Sequence, residues 1–509
     1  CDSTIAVRLN RTLPAVRTAP CDRHGPMTPE AIARIHNSGK RGVIAITGGG
    51  SAAIAQLLAV PGASRFLLEA RVPYCTAALD EFLGARPEQY CSDRTARAIA
   101  MAAYWRATKL AGSDTLDDAG QWIGLGATAS LASDRPKRGR HRLHAALQTA
   151  RYTACVSLTL VSGRRTRADE ESLAADLLLA FLADATSSAF DRSQSGPANP
   201  GASIRIHPER CEALAQFHAS LATDEFLDSE MVQAPAEWTR LLLGQTGRVA
   251  CEPQGMPESY FARDLPAKRD LPAKLEHVAI QERSATPDNS ATPNDSATPN
   301  NSATPNDSVK HEQSAAATTL TRALFPGAFH PLHAGHRAIA RWAAEHLGWA
   351  VEFELSIENV DKPPLDFLEI AARAGQFADT GRLWLTRAPT FLAKARLFPN
   401  TVFLVGSDTV LRVAVAKYYP DVAARDAAID EIRKQGCRFL VFGRVANGQF
   451  QSLADLDLPP NLAALCDEVP ESAFRADISS TEIRRGIANL TEPSASPDEL
   501  PTRNEPGDR

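Results

Sequence analysis

Paired cysteines are missing from this chain of 509 residues. Its nine cysteines are scattered from Cys1 to Cys466, with no CxxC pair and no dense cluster. That spacing argues against a zinc site and a disulfide framework, and it fits a reducing, cytoplasmic setting. Long apolar runs are missing too. The richest, LLLAFLADA (177–185), falls far short of a membrane span and already holds an aspartate, so no membrane partner is expected. Charge is not strongly one-sided, and a formal net charge of -5 gives no general reason to expect nucleic acid. The basic stretch RPKRGRHRLH (135–144) has no interleaved aromatic residues, so a solvated loop or a phosphate-facing edge is expected there. The first residue is not methionine. Residues 1–26 carry four arginines and several prolines, as a transit peptide does, but Met27 leads into TPEAIARI. Thr28 is a helix cap and Pro29 a first-turn residue, so the structured chain is expected to start near Met27, with 1–26 poorly ordered.

What is present is the composition of a soluble globular protein, 44% hydrophobic and 23% charged, in a chain long enough for two or three domains. A hexapeptide repeated in tandem, SATPDN SATPND SATPNN SATPND (Ser284 to Asp307), has no apolar side chain larger than alanine. It cannot bury enough surface to offset the entropy of ordering it. Residues 283–319 are therefore expected to be a disordered linker between two α/β domains. The first spans 27–186. GVIAI reads as a buried strand and SAAIAQLLAV as a helix with Ile54, Leu57 and Leu58 on one face. ARAIAMAAYWRATKLA reads as an alanine-rich helix, WIGLGATASLA and YTACVSLTLVSG as strands, and ADEESLAADLLLAFLADA as an amphipathic helix. Residues 187–282 read as a connecting subregion with one helix around PERCEALAQFHASLA.

The second domain, 320–490, alternates more clearly, and residues 491–509 read as a disordered tail. RALF is a strand, and HRAIARWAAEHL places Ile339, Trp342, Ala343 and Leu347 on one face before Gly348. AVEFELSI alternates apolar Val351, Phe353, Leu355 and Ile357 with polar neighbours. TVFLVG and RFLVFG are continuous apolar strands, buried on both sides of a parallel sheet. This predicts a Rossmann-like doubly wound sheet, whose ligands sit at the strands' carboxyl ends. The unusual residues fall at those ends. In FPGAFHPLHAGH, Gly327 allows a sharp turn past the strand, Pro331 stiffens the loop, and Gly335 permits close approach to a ligand as a helix begins around His336. A helix N-terminus attracts anions. His333 and His336, three apart, point the same way and form a donor pair for phosphate oxygens. They are also metal-ligand types, but no third ligand sits at suitable spacing.

GAFHPLHAGH resembles the GxFxPxHxGH signature of the HxGH nucleotidylyltransferase superfamily, with His330 where relatives often carry Asp or Asn. ISSTEIR (Ile478 to Arg484) is similar to the SSTxIR motif of pyridine mononucleotide adenylyltransferases. LVGSD resembles the family's GxD element, and VFGR places Arg444 at a strand end. The resemblance implies transfer of AMP from ATP, with Mg²⁺, to nicotinate or nicotinamide mononucleotide, releasing pyrophosphate. It makes His333, His336 and Arg484 catalytic. It makes Phe325, Gly327, Gly335, Gly406, Asp408, Arg444, Ser480 and Thr481 nucleotide contacts, and Lys362 an acceptor contact. No protein metal site is implied, because Mg²⁺ is bound mainly through the triphosphate. Another phosphorylated acceptor with ATP or CTP, and a nonenzymatic nucleotide sensor, are the alternatives. The sequence is compatible with a homo-oligomer.

The stretch from TGGGS to VPY in the first domain resembles the C-terminal domain of the CinA family, whose active members deamidate nicotinamide mononucleotide. Those members read ESCTGG, with the serine as nucleophile; here Ala45 or Ile46 stands at that position. A residue without a hydroxyl cannot attack an amide, so amidase activity is not expected. Thr47 and Ser51, the nearby hydroxyls, both fit a helix cap. Thr47, Gly48, Gly49 and Ser51 are the ligand candidates of a degenerate domain that binds a nucleotide or aids assembly.

Overall fold

The computed structural model describes residues 27–112, 121–135, 139–187, 203–204, 211–251, 320–360, 364–446 and 449–475. The expectations for 1–26, for the linker 283–319 and for the tail 491–509 lie outside them. The chain forms two compact units, Cys1–Val249 with Ile357–Ala372, and Ala250–Ser356 with Arg373–Arg509.

The first unit contains α1 (Pro29–His36), β1 (Arg41–Thr47), α2 (Ala52–Ala59), β2 (Leu67–Arg71), α3 (Thr76–Leu83) and α4 (Asp93–Ala111). β3 (Trp122–Ser130), β4 (His141–Gln148), β5 (Tyr152–Leu160), α5 (Arg167–Thr186) and β6 (Ser203–Ile204) follow. α6 (Glu212–Ala219), β7 (Phe226–Gln233) and α7 (Ala236–Leu242) complete it. Its sheet has the order β2-β1-β3-β4-β5-β7-β6. β1 is parallel to β2 and β3, and the remaining pairs are antiparallel. α1 starts as expected, with the Thr28 hydroxyl accepting from the Ala31 N–H at 3.3 Å. α4 lies against β3 because that strand offers glycine where a side chain would collide. A Cβ on Gly124 would stand 2.1 Å from the Ala100 carbonyl oxygen, and one on Gly126 2.2 Å from the Ala100 nitrogen. The alanines of α4 and the glycines of β3 are one packing device.

Four expectations change. α5 is not amphipathic: every residue from Leu173 to Leu182 is buried, because α1, α2 and α6 cover the faces that the sheet leaves open. On α2, Leu57 is buried but Leu58 is 59% exposed, because so short a helix buries only the stripe Ala53–Leu57. The basic stretch ends in a strand: His141 is buried in β4, with Nδ1 2.7 Å from Glu170. Part of the connecting subregion is sheet, since β7 pairs with β5 from Tyr152↔Gln233 to Thr159↔Phe226. Residues 357–372 also belong to this unit. Arg97 of α4, itself buried, donates to both carboxylate oxygens of Asp366 at 2.9 and 3.0 Å. The Thr153 hydroxyl accepts from the Phe367 N–H at 3.0 Å, and Phe367 stacks on Trp238 at 6.4 Å.

The second unit's sheet takes β8 (Arg248–Cys251) at one edge, then β9 (Arg322–Pro326), β10 (Val351–Ser356), β11 (Leu383–Thr386), β12 (Thr401–Gly406), β13 (Arg438–Phe442) and β16 (Cys466–Val469). β14 (Arg444–Ala446) and β15 (Gln449–Gln451) form a separate hairpin. The helices are α8 (Ala334–Leu347), α9 (Phe367–Ala374, mostly in the first unit), α10 (Phe391–Leu397), α11 (Ser407–Ala414), α12 (Val422–Lys434) and α13 (Pro460–Ala463). Strand order is β16-β13-β12-β9-β10-β11-β8, and every pair from β16 to β11 is parallel. Counted from β9, that is the doubly wound order 3-2-1-4-5-6, with its switch point between β9 and β12. β12 and β13 are buried almost throughout, as their apolar runs require. In β10 the alternation misleads, because Glu354 is 1% exposed. Its two oxygens accept from Lys394 Nζ at 2.7 Å each, and the Thr386 hydroxyl donates to it as well. A buried carboxylate needs such pairing.

Candidate functional site

The loop from Gly327 to His333 leaves the carboxyl end of β9 and runs into α8. The Gly327 N–H donates to the Glu354 carbonyl at 2.9 Å, which ties the loop to the end of β10. Gly327 is needed for space rather than for a left-handed turn. A Cβ there would come within 2.6 Å of the Phe329 ring, and Phe329 itself takes the positive φ, 45°. Gln376 clamps the loop from outside: its Oε1 accepts from the Leu332 N–H at 2.7 Å, and its Nε2 donates to the Phe329 carbonyl at 3.1 Å. Arg373 donates to the Ala328 carbonyl at 3.0 Å.

His333 is the N-cap of α8, which begins at Ala334, two residues before the expected start. Gly335 is buried in its first turn. The two imidazoles stack, with centroids 3.7 Å apart and planes 25° from parallel. The His333 backbone N–H donates to His336 Nδ1 at 3.3 Å. With Nδ1 accepting, the proton of the neutral ring sits on Nε2. Burial pushes the His336 pKa down, the neighbouring His333 adds to the shift, and the value falls to about 4. Burial lowers His333 too. At neutral pH the pair therefore presents neutral N–H donors, at the helix end where the backbone is partially positive. The His336 ring meets Phe325 and Phe329 edge-on at 5.8 and 5.3 Å. Beneath them Phe353 and Phe377 complete an aromatic cluster, with Phe329–Phe377 at 5.1 Å and Phe353–Phe377 at 4.9 Å. Phe325 is thus a core ring, buried at the carboxyl end of β9.

Across the switch point, Gly406 ends β12 and is the N-cap of α11, with Asp408 in the first turn. Arg444 follows β13 and pairs with Asp408, both about half-exposed. The two side chains expected to contact nucleotide thus hold each other. The Ser407 hydroxyl beside them is buried and has no hydrogen-bond partner among the described residues. The carboxyl ends of three adjacent strands carry His333, His336, Gly327 and Gly335 after β9, Gly406 and Asp408 after β12, and Arg444 after β13. Lys362, Ser480, Thr481 and Arg484 lie outside the described residues. Sequence reasoning missed Phe329, Gln376, Arg373 and Glu354. Only Phe329 had a local signal, an apolar residue inside a polar motif.

The glycine loop of the first unit is internally satisfied. The Thr47 hydroxyl donates to the Pro73 carbonyl at 2.9 Å, and the N-cap position of α2 belongs to Ser51. Gly48 has φ +77°, and a Cβ there would stand 2.0 Å from the Ala129 carbonyl oxygen; Gly49 lies against Leu131 in the same way. Glu171 occupies the N-terminus of α2. Its Oε1 accepts from the Ser51 hydroxyl at 2.9 Å and from the Ala52 N–H at 3.3 Å. Burial alone would raise this carboxyl's pKa, but bonds from the Gly50 backbone, Ser51 and Ala52 hold it below the usual range. Arg167 donates to the Gly48 carbonyl at 2.9 Å. A ligand phosphate at TGGGS would have to displace Glu171. Ala45 and Ile46 are fully buried.

Among the described residues no helix is long and apolar enough to cross a membrane. No family model matches the chain, and no curated protein does. Among solved structures, the chain is similar to a competence or damage-inducible protein from Enterobacter asburiae, with 20% identity and a TM-score of 0.24, covering 31% of this chain and 98% of that one. It is similar to a competence/damage inducible protein from Agrobacterium tumefaciens, with 17% identity and a TM-score of 0.24, covering 33% of this chain and 95% of that one. A competence-damaged protein (CinA) superfamily protein from Klebsiella pneumoniae shows 17% identity and a TM-score of 0.22, covering 31% of this chain and 98% of that one.

Proposed function

We propose that the second unit is a nucleotidylyltransferase that transfers AMP from ATP to a pyridine mononucleotide and releases pyrophosphate. The observation that supports this best is the tautomer of His336. A backbone N–H holds Nδ1, which leaves the neutral ring's proton on Nε2 as a donor in the first turn of α8. In such a transfer the acceptor phosphate attacks the α-phosphorus in line, and catalysis consists of positioning and charge stabilisation. His336 and His333 donate to oxygens that gain charge, without a proton leaving either ring. The α8 N-terminus offers main-chain N–H groups to the phosphates. Arg484, Ser480 and Thr481 are assigned to the departing pyrophosphate by their motif, and Lys362 to the acceptor. Mg²⁺ entering with the polyphosphate would neutralise part of its charge. The resemblance of the first unit to a nicotinamide-nucleotide amidase domain favours a pyridine acceptor, and with Ala45 buried no amidase step is assigned to it.

The test is pyrophosphate release from ATP or CTP against a panel of phosphorylated acceptors, with wild type and His336→Ala. We expect release with ATP and a pyridine mononucleotide, and a fall of about 10²-fold or more in His336→Ala with folding intact. Near-normal turnover in the variant removes the role of His336, and no release with any acceptor removes the reading.

A further inference from the structure

At the opposite, amino end of the same sheet, a cavity of about 560 Å³ opens between α8 and the starts of β9, β10 and β11. Its size suits a small metabolite, since ligand pockets run roughly 300–1,000 Å³. Four arginines line it, Arg322, Arg337, Arg341 and Arg382, against two carboxylates, Glu352 and Asp379. Two of the guanidiniums are fixed in place. Glu352 accepts from Arg322 at 2.8 Å, from Arg382 at 3.2 Å and from the Trp384 indole N–H at 3.1 Å. Arg322 lies over the Trp384 and Phe398 rings at 5.8 and 5.4 Å, and Arg382 over Trp384 at 5.8 Å. One carboxylate between two guanidiniums leaves positive charge over. The wall adds more: Arg337 is 3.6 Å from the exposed Asp379, and Arg341 has no ion-pair partner among the described residues. Guanidinium forks held rigid by carboxylate and aromatic faces match phosphate oxygens. Ala340, Ala344 and Trp349 supply an apolar side for the rest of a ligand.

We propose that this cavity binds a small phosphate ester of mononucleotide size, at a site separate from the histidine pair. The phosphate lies between the fixed pair Arg322 and Arg382 and the wall residue Arg341, and the ester's body lies along the alanine face of α8. The inference does not depend on which reaction the histidines perform. AMP is the probe, titrated by calorimetry into the full chain carrying His333→Ala and His336→Ala, which removes the histidines' contribution. Binding persists in that protein, weakens at least tenfold when Arg341→Glu is added, and is at least tenfold tighter than binding of inorganic phosphate. Arg382→Met gives the same loss, and circular dichroism checks that both variants fold. Absence of AMP binding in the double-histidine protein overturns the proposal, as does affinity unchanged by Arg341→Glu. Inorganic phosphate binding as tightly as AMP overturns the assignment to an ester.

Discussion

Acidifying the protein tests the environment of His336 directly. The ring's ordinary pKa is 6.5, and burial beside His333 takes it to about 4. Between those values the unfolded chain binds a proton that the folded chain refuses. The associated stability is therefore fully present above about pH 6.5 and is lost as the pH falls through 4. At about 1.4 kcal/mol for each pH unit of difference, the whole effect is about 3 kcal/mol, and roughly 2.5 kcal/mol of it is gone by pH 4.5. Asp176 of the first unit works in the opposite direction. Burial raises its pKa from 3.8 to about 6, so the cost of its buried charge recedes over the same range. His336→Gln isolates the histidine: the variant keeps the volume and loses the titration. The assay is denaturant unfolding of wild type and His336→Gln at roughly pH 7.5 and 4.5, with the His336 ¹³Cε1 resonance followed across the range. A resonance that titrates near the ordinary value would refute the reasoning, and so would identical pH slopes in the two proteins.

Lys394→Met leaves Glu354 buried without its cation, which is expected to cost about 3–5 kcal/mol, while adding Glu354→Gln recovers part of that loss; equal stability of the single and double variants in urea would contradict the pairing. Gly124→Ala pushes a methyl group into the backbone of α4 and is expected to destabilise the first unit by about 1–3 kcal/mol or more, whereas Gly375→Ala, with open space at its Cβ, changes little. Thermal unfolding of both variants checks this, and equal midpoints would contradict the close approach of helix and strand.

Much of the second unit was legible because its apolar strands are short, continuous and separated by helices with clear ends. TVFLVG and RFLVF became β12 and β13, and Gly348 took the left-handed conformation that stops α8. The placement of the histidines at a strand-to-helix junction was legible for the same reason. What stayed hidden depended on partners distant in sequence. Glu354 looked like an outward residue of an alternating strand, and only the lysine 40 positions later makes its burial tolerable. Glu171 fills the glycine loop from 120 residues beyond Ser51, and nothing in TGGGS announces an internal occupant. α5 read as amphipathic because its polar residues are real, but Asp176 and Asp184 are buried among helices that its own sequence does not specify.

The pairing of Arg97 with Asp366 has a practical side. The tandem repeat at 284–307 looks like the natural place to cut the gene into two halves, and a fragment ending there would keep Arg97 while discarding Asp366 and Phe367. Such a fragment would carry a guanidinium facing the protein interior with its main counter-charge gone, and an indole, Trp238, with its stacking partner removed. Poor solubility of that piece would be the signature of a missing sixteen-residue patch, Ile357–Ala372, and supplying the patch as a separate peptide should rescue it.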